Sequence, residues 1–307
     1  MNVIISQIIR SFNNPNLKRI VNVYQLHYKN GPAQGFGDYL RGCFCLLQMS
    51  TLLGLEFDMD FKNHPMSKYL ETTNSYDIPY SELIRYEDKN YIPISATEYK
   101  TDSISFFINF IKTLNALDCS NGKDTFYIFC HSFPIITNIL PQGKQIIRSK
   151  IVPSSLMNSN IEIRLNRLGL TKHHFTVIHI RGGDEILLQG QNGMLGPRIK
   201  KLFQTLSYVI AAGPSKTYVI LSDNNQIKMQ IKSRFPNANI VTLFNKITHL
   251  GESVDQTDDS VMHTLLDFYM MGYASNIISF SPYTWGSGFS KWCSVIYDVP
   301  FQQVILQ

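Results

Sequence analysis

Arg181 directly follows the apolar run Phe175–Ile180 and precedes Gly182, Gly183, Asp184 and Glu185. A guanidinium presents a planar fork of donors that matches two phosphate oxygens at once. The adjoining glycines allow backbone conformations and close approaches that a side chain would block. Ser222-Asp223-Asn224 follows a second apolar run, Thr217–Leu221, and Asn245 and Lys246 follow a third, Asn239–Thr242. A fourth run, Asn276–Phe280, leads into Ser281-Pro282-Tyr283-Thr284-Trp285-Gly286-Ser287-Gly288. Ser281, Thr284, Ser287 and Gly288 precede a helical stretch, whose free N–H groups and positive dipole end attract an anion. Asp267 lies in the helical stretch before that last run. A carboxylate accepts from adjacent N–H donors such as N1–H and N2–H of guanine. A guanidinium, carboxylates, hydroxyls and a helix N-terminus together suit a nucleotide carrying a diphosphate.

Each of these residues also has a plainer reading. An arginine after a strand makes surface ion pairs, and a Ser/Gly loop caps a helix. Asp267 can pair locally, and His179, between two apolar neighbours, can be a core histidine. Trp285 and Trp292 read as packing residues. In the first half, Gly35-Phe36-Gly37-Asp38 joins a strand to a helix but falls short of the full GxGxxG pattern. Asp58-Met59-Asp60 superficially matches a metal-holding DxD, yet it lies in an alternating run that would turn both carboxylates to solvent. No HExxH, GxSxG, Walker A or kinase signature is present.

The elements that must position these residues follow from periodicity. Val21–Tyr28, Leu55–Phe61 and Thr125–Cys130 read as strands, and Met1–Phe12, Tyr39–Leu53, Ser103–Leu117 and Ser154–Leu168 as helices. In the second half, the four apolar runs alternate with helices over Gly196–Ala212, Asn225–Arg234, Ser260–Ala274 and Gly288–Ile296. Alternating strands and helices with short connections imply parallel sheets covered on both faces and a Rossmann-like topology. Ligands of such sheets bind beyond the carboxyl ends of the strands, where the four polar clusters gather. A domain boundary is expected near 150–172, giving domains 1–165 and 166–307.

The 307 residues carry a net charge of +5 with no Lys/Arg block, which argues against a nucleic-acid partner. At 44% hydrophobic and 17% charged residues, the chain can bury a sizeable core. Five cysteines without a CxxC read as free thiols in a reducing compartment. No run is long and apolar enough to cross a bilayer, and no signal peptide is seen. A soluble, cytoplasmic protein is the expectation.

Taken together, the segments resemble the fucosyltransferase clan that uses GDP-fucose. Gly35-Phe36-Gly37-Asp38, then a helix and a strand ending in acidic residues, is similar to the N-terminal half of nodulation-factor alpha-1,6-fucosyltransferases. His179-Ile180-Arg181-Gly182-Gly183-Asp184 resembles the His-x-Arg-x-Gly-Asp motif of alpha-1,2-fucosyltransferases and their protein O-fucosyltransferase relatives. Leu266–Met271 with Asn276–Ser281 and Trp285-Gly286 resembles the last motif of the group. Residues 62–170 match no named block.

The resemblance implies an α/β, GT-B-like architecture of two facing Rossmann-like domains with parallel sheets, the donor on the C-terminal one and the acceptor on the N-terminal one. It implies metal-independent, inverting transfer of fucose from GDP-fucose to a glycan or protein hydroxyl, with no cofactor. Arg181 would hold the β-phosphate and stabilise departing GDP, Asp267 would read guanine, and Asp38 would serve as the base, with Glu185 and Asp184 as other candidates. Gly35, Gly37, His179, Gly183, Asp184, Asp223, Ser279, Ser281 and Thr284 would complete the donor site. Gly182 stands where many relatives carry a second basic residue, which would leave Lys246 or Arg198 to supply that charge. Another nucleotide sugar, or a non-catalytic binder of nucleotide sugar or glycan on the same scaffold, is the alternative. The acceptor would meet the 62–150 stretch, where Tyr69, Tyr76, Tyr80 and Tyr86 suit either sugar stacking or packing.

Overall fold

A computed structural model describes residues 3–24, 27–28, 31–32, 35–71, 74–78, 84–85, 99–119, 122–134, 136, 138–182, 196–213, 215–251 and 257–306. In chain order the first elements are α1 (Val3–Arg10), β1 (Arg19–Val23), β2 (His27–Tyr28), β3 (Gly31–Pro32), α2 (Phe36–Leu53), β4 (Glu56–Asp60), β5 (Ile84–Arg85), α3 (Tyr99–Ala116), β6 (Thr125–Phe129) and α4 (Pro141–Lys150). Then come α5 (Ser155–Leu168), β7 (Thr176–Ile180), α6 (Gly196–Ala211), β8 (Tyr218–Ser222), α7 (Asn225–Arg234), β9 (Ile240–Val241), α8 (Asp258–Gly272), β10 (Asn276–Ser281), α9 (Gly288–Tyr297) and β11 (Phe301–Ile305). The chain divides into two compact units. The first is Met1–Gln25, Asp38–Ser67 and Thr72–Ile151; the second is Leu26–Gly37, Lys68–Glu71 and Val152–Gln307.

The first unit has a parallel sheet in the order β4-β1-β6-β5. Ile20, Phe126 and Ile128 on one face bury against Leu46 and Met49 of α2 and Phe107, Phe110 and Leu114 of α3. Val21 and Val23 on the other face meet Tyr76, Ile78 and Tyr127. The expected strand Val21–Tyr28 is cut short, because β1 pairs with β4 only as far as Val23 opposite Asp60. His27–Tyr28 pairs instead with Gly31–Pro32 as an antiparallel ribbon.

The second unit has five parallel strands in the order β11-β10-β7-β8-β9. Ile178, Ile180, Ile220, Ile278 and Phe280 form one face and pack on Leu202 and Leu206 of α6 and Ile227 and Ile231 of α7. The opposite face carries His179 and Ser279, which are register partners. There the Ser279 and Ser290 hydroxyls meet at 2.8 Å, tying β10 to α9. The Cys293 thiol donates to the Phe268 carbonyl, tying α9 to α8. Strand order runs outward from β7 to β9, then restarts on the other side with β10. The switch point therefore lies between β7 and β10, where open α/β sheets bind ligands.

The two-residue strands β3 and β5 escaped the periodicity reading, and so did two longer elements, α4 and β11. In α4, Ile147 is the one buried residue, so no apolar stripe marks it; Pro141 at its first turn and Arg148 and Lys150 at its last are the available signals. The β11 segment lies on the sheet edge beyond α9. Among the described residues no helix is long and apolar enough to cross a membrane, and the five cysteines are free.

Candidate functional site

Side chains alternate along a strand. Arg181, two residues beyond His179, and Asp223, two beyond Leu221, therefore leave the carboxyl ends of β7 and β8 on the same face. The Arg181 N–H donates to the Phe280 carbonyl of β10 at 2.9 Å, which places its backbone at the switch point. Its Nη1 donates to Asp223 Oδ2 at 3.2 Å, while the Gly182 N–H donates to Asp223 Oδ1 at 2.7 Å. One carboxylate thus holds both the guanidinium and the backbone that follows it. Burial pushes the Asp223 carboxyl up, against the pull of Arg181 and the Gly182 N–H. Asp223, which the sequence had offered as a lining residue of the donor pocket, thus holds the arginine.

Beside them, α9 begins at Ser287 with no side-chain cap, and a helix start of this kind favours an anion. The loop ahead of it turns at Gly286, whose φ is +84° and whose Cβ position would lie 1.8 Å from the Gln303 amide nitrogen. Only glycine fits there. Gln303 Nε2 beneath the loop is buried without a hydrogen-bond partner. It adds an amide donor that the sequence had not suggested, because its strand was itself unrecognised.

The remaining expected residues are distributed as follows. Ser281 is buried and its hydroxyl accepts from the Tyr283 N–H at 3.2 Å, while Thr284 is exposed on the turn. Ser279 is fully buried in its pairing with Ser290. His179 is buried with Nδ1 unpartnered, and burial, with help from Arg181 and Lys228, drives its pKa down to about 3. Its imidazole is neutral at physiological pH. Lys246 is exposed in the segment after β9, and Arg198 stands in the first turn of α6. Gly183, Asp184 and Glu185 lie outside the described residues. Trp292 is buried, but Trp285 is 70% exposed and stacks on Tyr283 with ring centroids 5.1 Å apart, so it is no core residue.

Gly35 and Gly37 sit at the start of α2. A Cβ on Gly37 would lie 2.3 Å from the Gly288 carbonyl carbon and the Phe289 nitrogen. This glycine thus admits the backbone of α9, the close approach that the sequence reading had reserved for a ligand. Asp38, in the first unit, pairs with Arg41 at 2.7 Å, and Arg41 in turn donates to the His131 carbonyl.

Asp267 is almost fully buried, and its Oδ1 accepts from Arg164 Nη1 of α5. Arg164 Nη2 and Asn245 Nδ2 both approach His263 Nδ1, at 3.3 and 3.2 Å. Lys228 of α7, 1% exposed, donates to Asn225 Oδ1 and the Leu243 carbonyl. Neither Arg164 nor Lys228 stood out in the sequence. The usable signal was Arg164 on the apolar face of α5, beside Met157, Ile161 and Leu165.

The DxD residues do not face solvent. Asp58 Oδ1 accepts from the Met59 N–H and pairs with Lys150; its Oδ2 accepts from Asn74 and the Tyr76 hydroxyl. Asp60 accepts from the N–H groups of Lys62 and Tyr76. Both carboxylates are occupied in fastening Lys62, Asn74 and Tyr76 to β4. Tyr69 is buried, with its hydroxyl on the Asp258 carbonyl. Tyr80 and Tyr86 lie outside the described residues.

Comparison with solved structures decides the fold. NodZ alpha-1,6-fucosyltransferase soaked with GDP-fucose superposes with a TM-score of 0.54 at 14% identity, over 91% of this chain and 92% of that one. The fold is that of the GT-B fucosyltransferases. Fucosyltransferase NodZ from Bradyrhizobium gives a TM-score of 0.52 at 13% identity over 91% and 93% of the two chains. A point mutant of Arabidopsis thaliana FUT1 in complex with GDP gives 0.52 at 11% identity over 97% and 73%. No protein-family model and no curated protein sequence matches the chain. In this fucosyltransferase fold the Arg181–Asp223 pair and the uncapped start of α9 lie at the switch point of the second unit.

Proposed function

We propose that this protein is a glycosyltransferase that moves a sugar, fucose foremost, from a GDP-sugar to a hydroxyl of a glycan or protein, with inversion and without a metal. The observation that carries the reading is Arg181, held by Asp223 beside the uncapped N-terminus of α9, on a fold shared with fucosyltransferases solved with GDP or GDP-fucose. As the acceptor oxygen attacks the anomeric carbon, negative charge gathers on the departing β-phosphate. Preorganised donors aimed at that charge form the largest catalytic term. Arg181, the first N–H groups of α9 and the Gln303 amide supply them. Positive charge from Arg181 and the helix does the work a divalent ion would do, and Asp58 and Asp60 are committed to their own partners. Asp267 offers guanine its acceptors. Asp38 takes the acceptor proton once it parts from Arg41, and an oxocarbenium-like transition state asks little of that base.

Calorimetric titration with GDP, UDP, ADP and CMP, first in EDTA and then with manganese, tests this. Tight GDP binding in EDTA, lost in Arg181→Ala and Asp267→Ala, is the expected result. Preference for UDP, or binding only with manganese, would overturn the donor assignment. No binding of any nucleotide would overturn the enzymatic reading.

A further inference from the structure

We infer that Arg164 is the positioning residue that sets nucleobase choice: its guanidinium, shared between Asp267 and His263, holds the Asp267 carboxylate so that a base with two adjacent N–H donors is preferred. The inference rests on the reading above that Asp267 faces the base. It names a residue that does not itself touch the ligand.

Two helices each give a core position to charge here. Asp267 sits in a run of α8 that is buried from Thr264 to Gly272, and Arg164 lies on the buried face of α5. Apolar residues of similar volume would join α5 to α8 at least as well, since desolvation cancels most of the gain from a buried ion pair. Such a pair therefore calls for a role beyond packing. The fork of Arg164 also has a defined geometry. Nη1 donates to Asp267, and Nη2 donates to His263 Nδ1, which accepts from Asn245 Nδ2 as well. Two donors on one ring nitrogen make Nδ1 the unprotonated nitrogen of a neutral imidazole. Asn245 follows β9, so the network runs from the α5–α8 interface to the carboxyl edge of the sheet, where the nucleotide is expected. Lys228 of α7 is the other cation near Asp267. Its ammonium is committed to Asn225 and Leu243, which leaves the orienting role to Arg164.

The test is the ratio of GDP to ADP affinity, measured by calorimetry in wild type, Arg164→Gln, Arg164→Lys, Asp267→Asn and the Arg164→Gln/Asp267→Asn double variant. Arg164→Gln is expected to lower the ratio roughly tenfold or more, the worth of one charge-assisted hydrogen bond. ADP affinity stays constant, because the phosphate end is untouched. Arg164→Lys, which keeps the charge but loses the fork, falls between, with a loss of about threefold or more. The double variant adds nothing to Asp267→Asn, as residues acting through one another require. Equal weakening of GDP and ADP in Arg164→Gln would make the pair a mere brace and overturn the inference. If Arg164→Gln does not fold, Arg164→Lys decides, and an unchanged ratio there overturns it. A wild-type preference for GDP that survives in Asp267→Asn removes the guanine role of Asp267 and this inference with it, and leaves the GDP-sugar reading standing on Arg181. Equal wild-type affinity for GDP and ADP removes the guanine reading and this inference with it.

Discussion

At the residue scale, Arg181 and the backbone beside it share an anchor in Asp223. Asp223 holds one guanidinium nitrogen and, through the Gly182 N–H, the backbone beside it. Arg181→Ala is expected to lower kcat by roughly 100-fold or more in a sugar-transfer assay. Wild-type turnover in that variant would remove Arg181 from the mechanism. Asp223→Asn leaves the arginine in place but slackens it, and a smaller loss, about tenfold, is expected in the same assay. His179 has a different signature. Its ordinary pKa of 6.5 drops to about 3 in the folded protein, chiefly through burial. Below 6.5 the unfolded chain takes up a proton that the native state refuses. Stability is thus complete above 6.5 and declines with acid toward 3, by about 1.4 kcal/mol per pH unit for this one group. Denaturant midpoints measured from pH 7 to 5 should be flatter in His179→Gln. An equal slope in both proteins would place the acid sensitivity elsewhere.

At the element scale, β4 shows how a pattern misleads. Alternation correctly put Asp58 and Asp60 on one face of a strand, but it could not show that residues 74–76 cover that face with an amide, a phenol and an N–H. Burial works to raise the Asp58 carboxyl, yet Lys150, Tyr76, Asn74 and the Met59 N–H together hold it below its ordinary 3.8. Its contribution to stability is therefore present above 3.8 and lost as the pH falls below that value. Asp58→Asn should cost about 2–3 kcal/mol at pH 7, the penalty for unsatisfied partners of a charged group. In urea titrations the gap to wild type should close in acid; a gap that persists there would show that charge is not what Asp58 contributes.

Strands β7, β8 and β10 of the second unit were legible because each is a five- or six-residue apolar run with a polar cluster directly behind it. That pattern located Arg181, Asp223 and Ser281 at one edge. Helix α4 was hidden by its polar surface and β11 by its position after the last predicted helix. The partners of Asp267 were hidden for another reason. Arg164 lies 103 residues away in sequence, and only the packing of α5 on α8 brings the two together. Periodicity reports which face of a helix is buried, and that face was legible in α5; the helix it packs against was not.

At the scale of the whole molecule, two separate cores predict two cooperative transitions. Arg181, Asp223 and Asp267, the residues proposed above to meet the nucleotide, all belong to the second unit. GDP at 100 times its Kd should therefore stabilise one transition by about 2.7 kcal/mol and leave the other in place. Scanning calorimetry with and without GDP checks this, and a shift of both transitions would assign part of the nucleotide contact to the first unit. Both tryptophans also fall in the second unit, one at 70% exposure and stacked on Tyr283, the other at 6% in the core. The protein is consequently labelled by nature for fluorescence. Iodide should extinguish the red-shifted emission of Trp285 and spare the blue emission of Trp292. Trp285→Phe would leave a single buried lamp that reports on the second unit and is dark to the first.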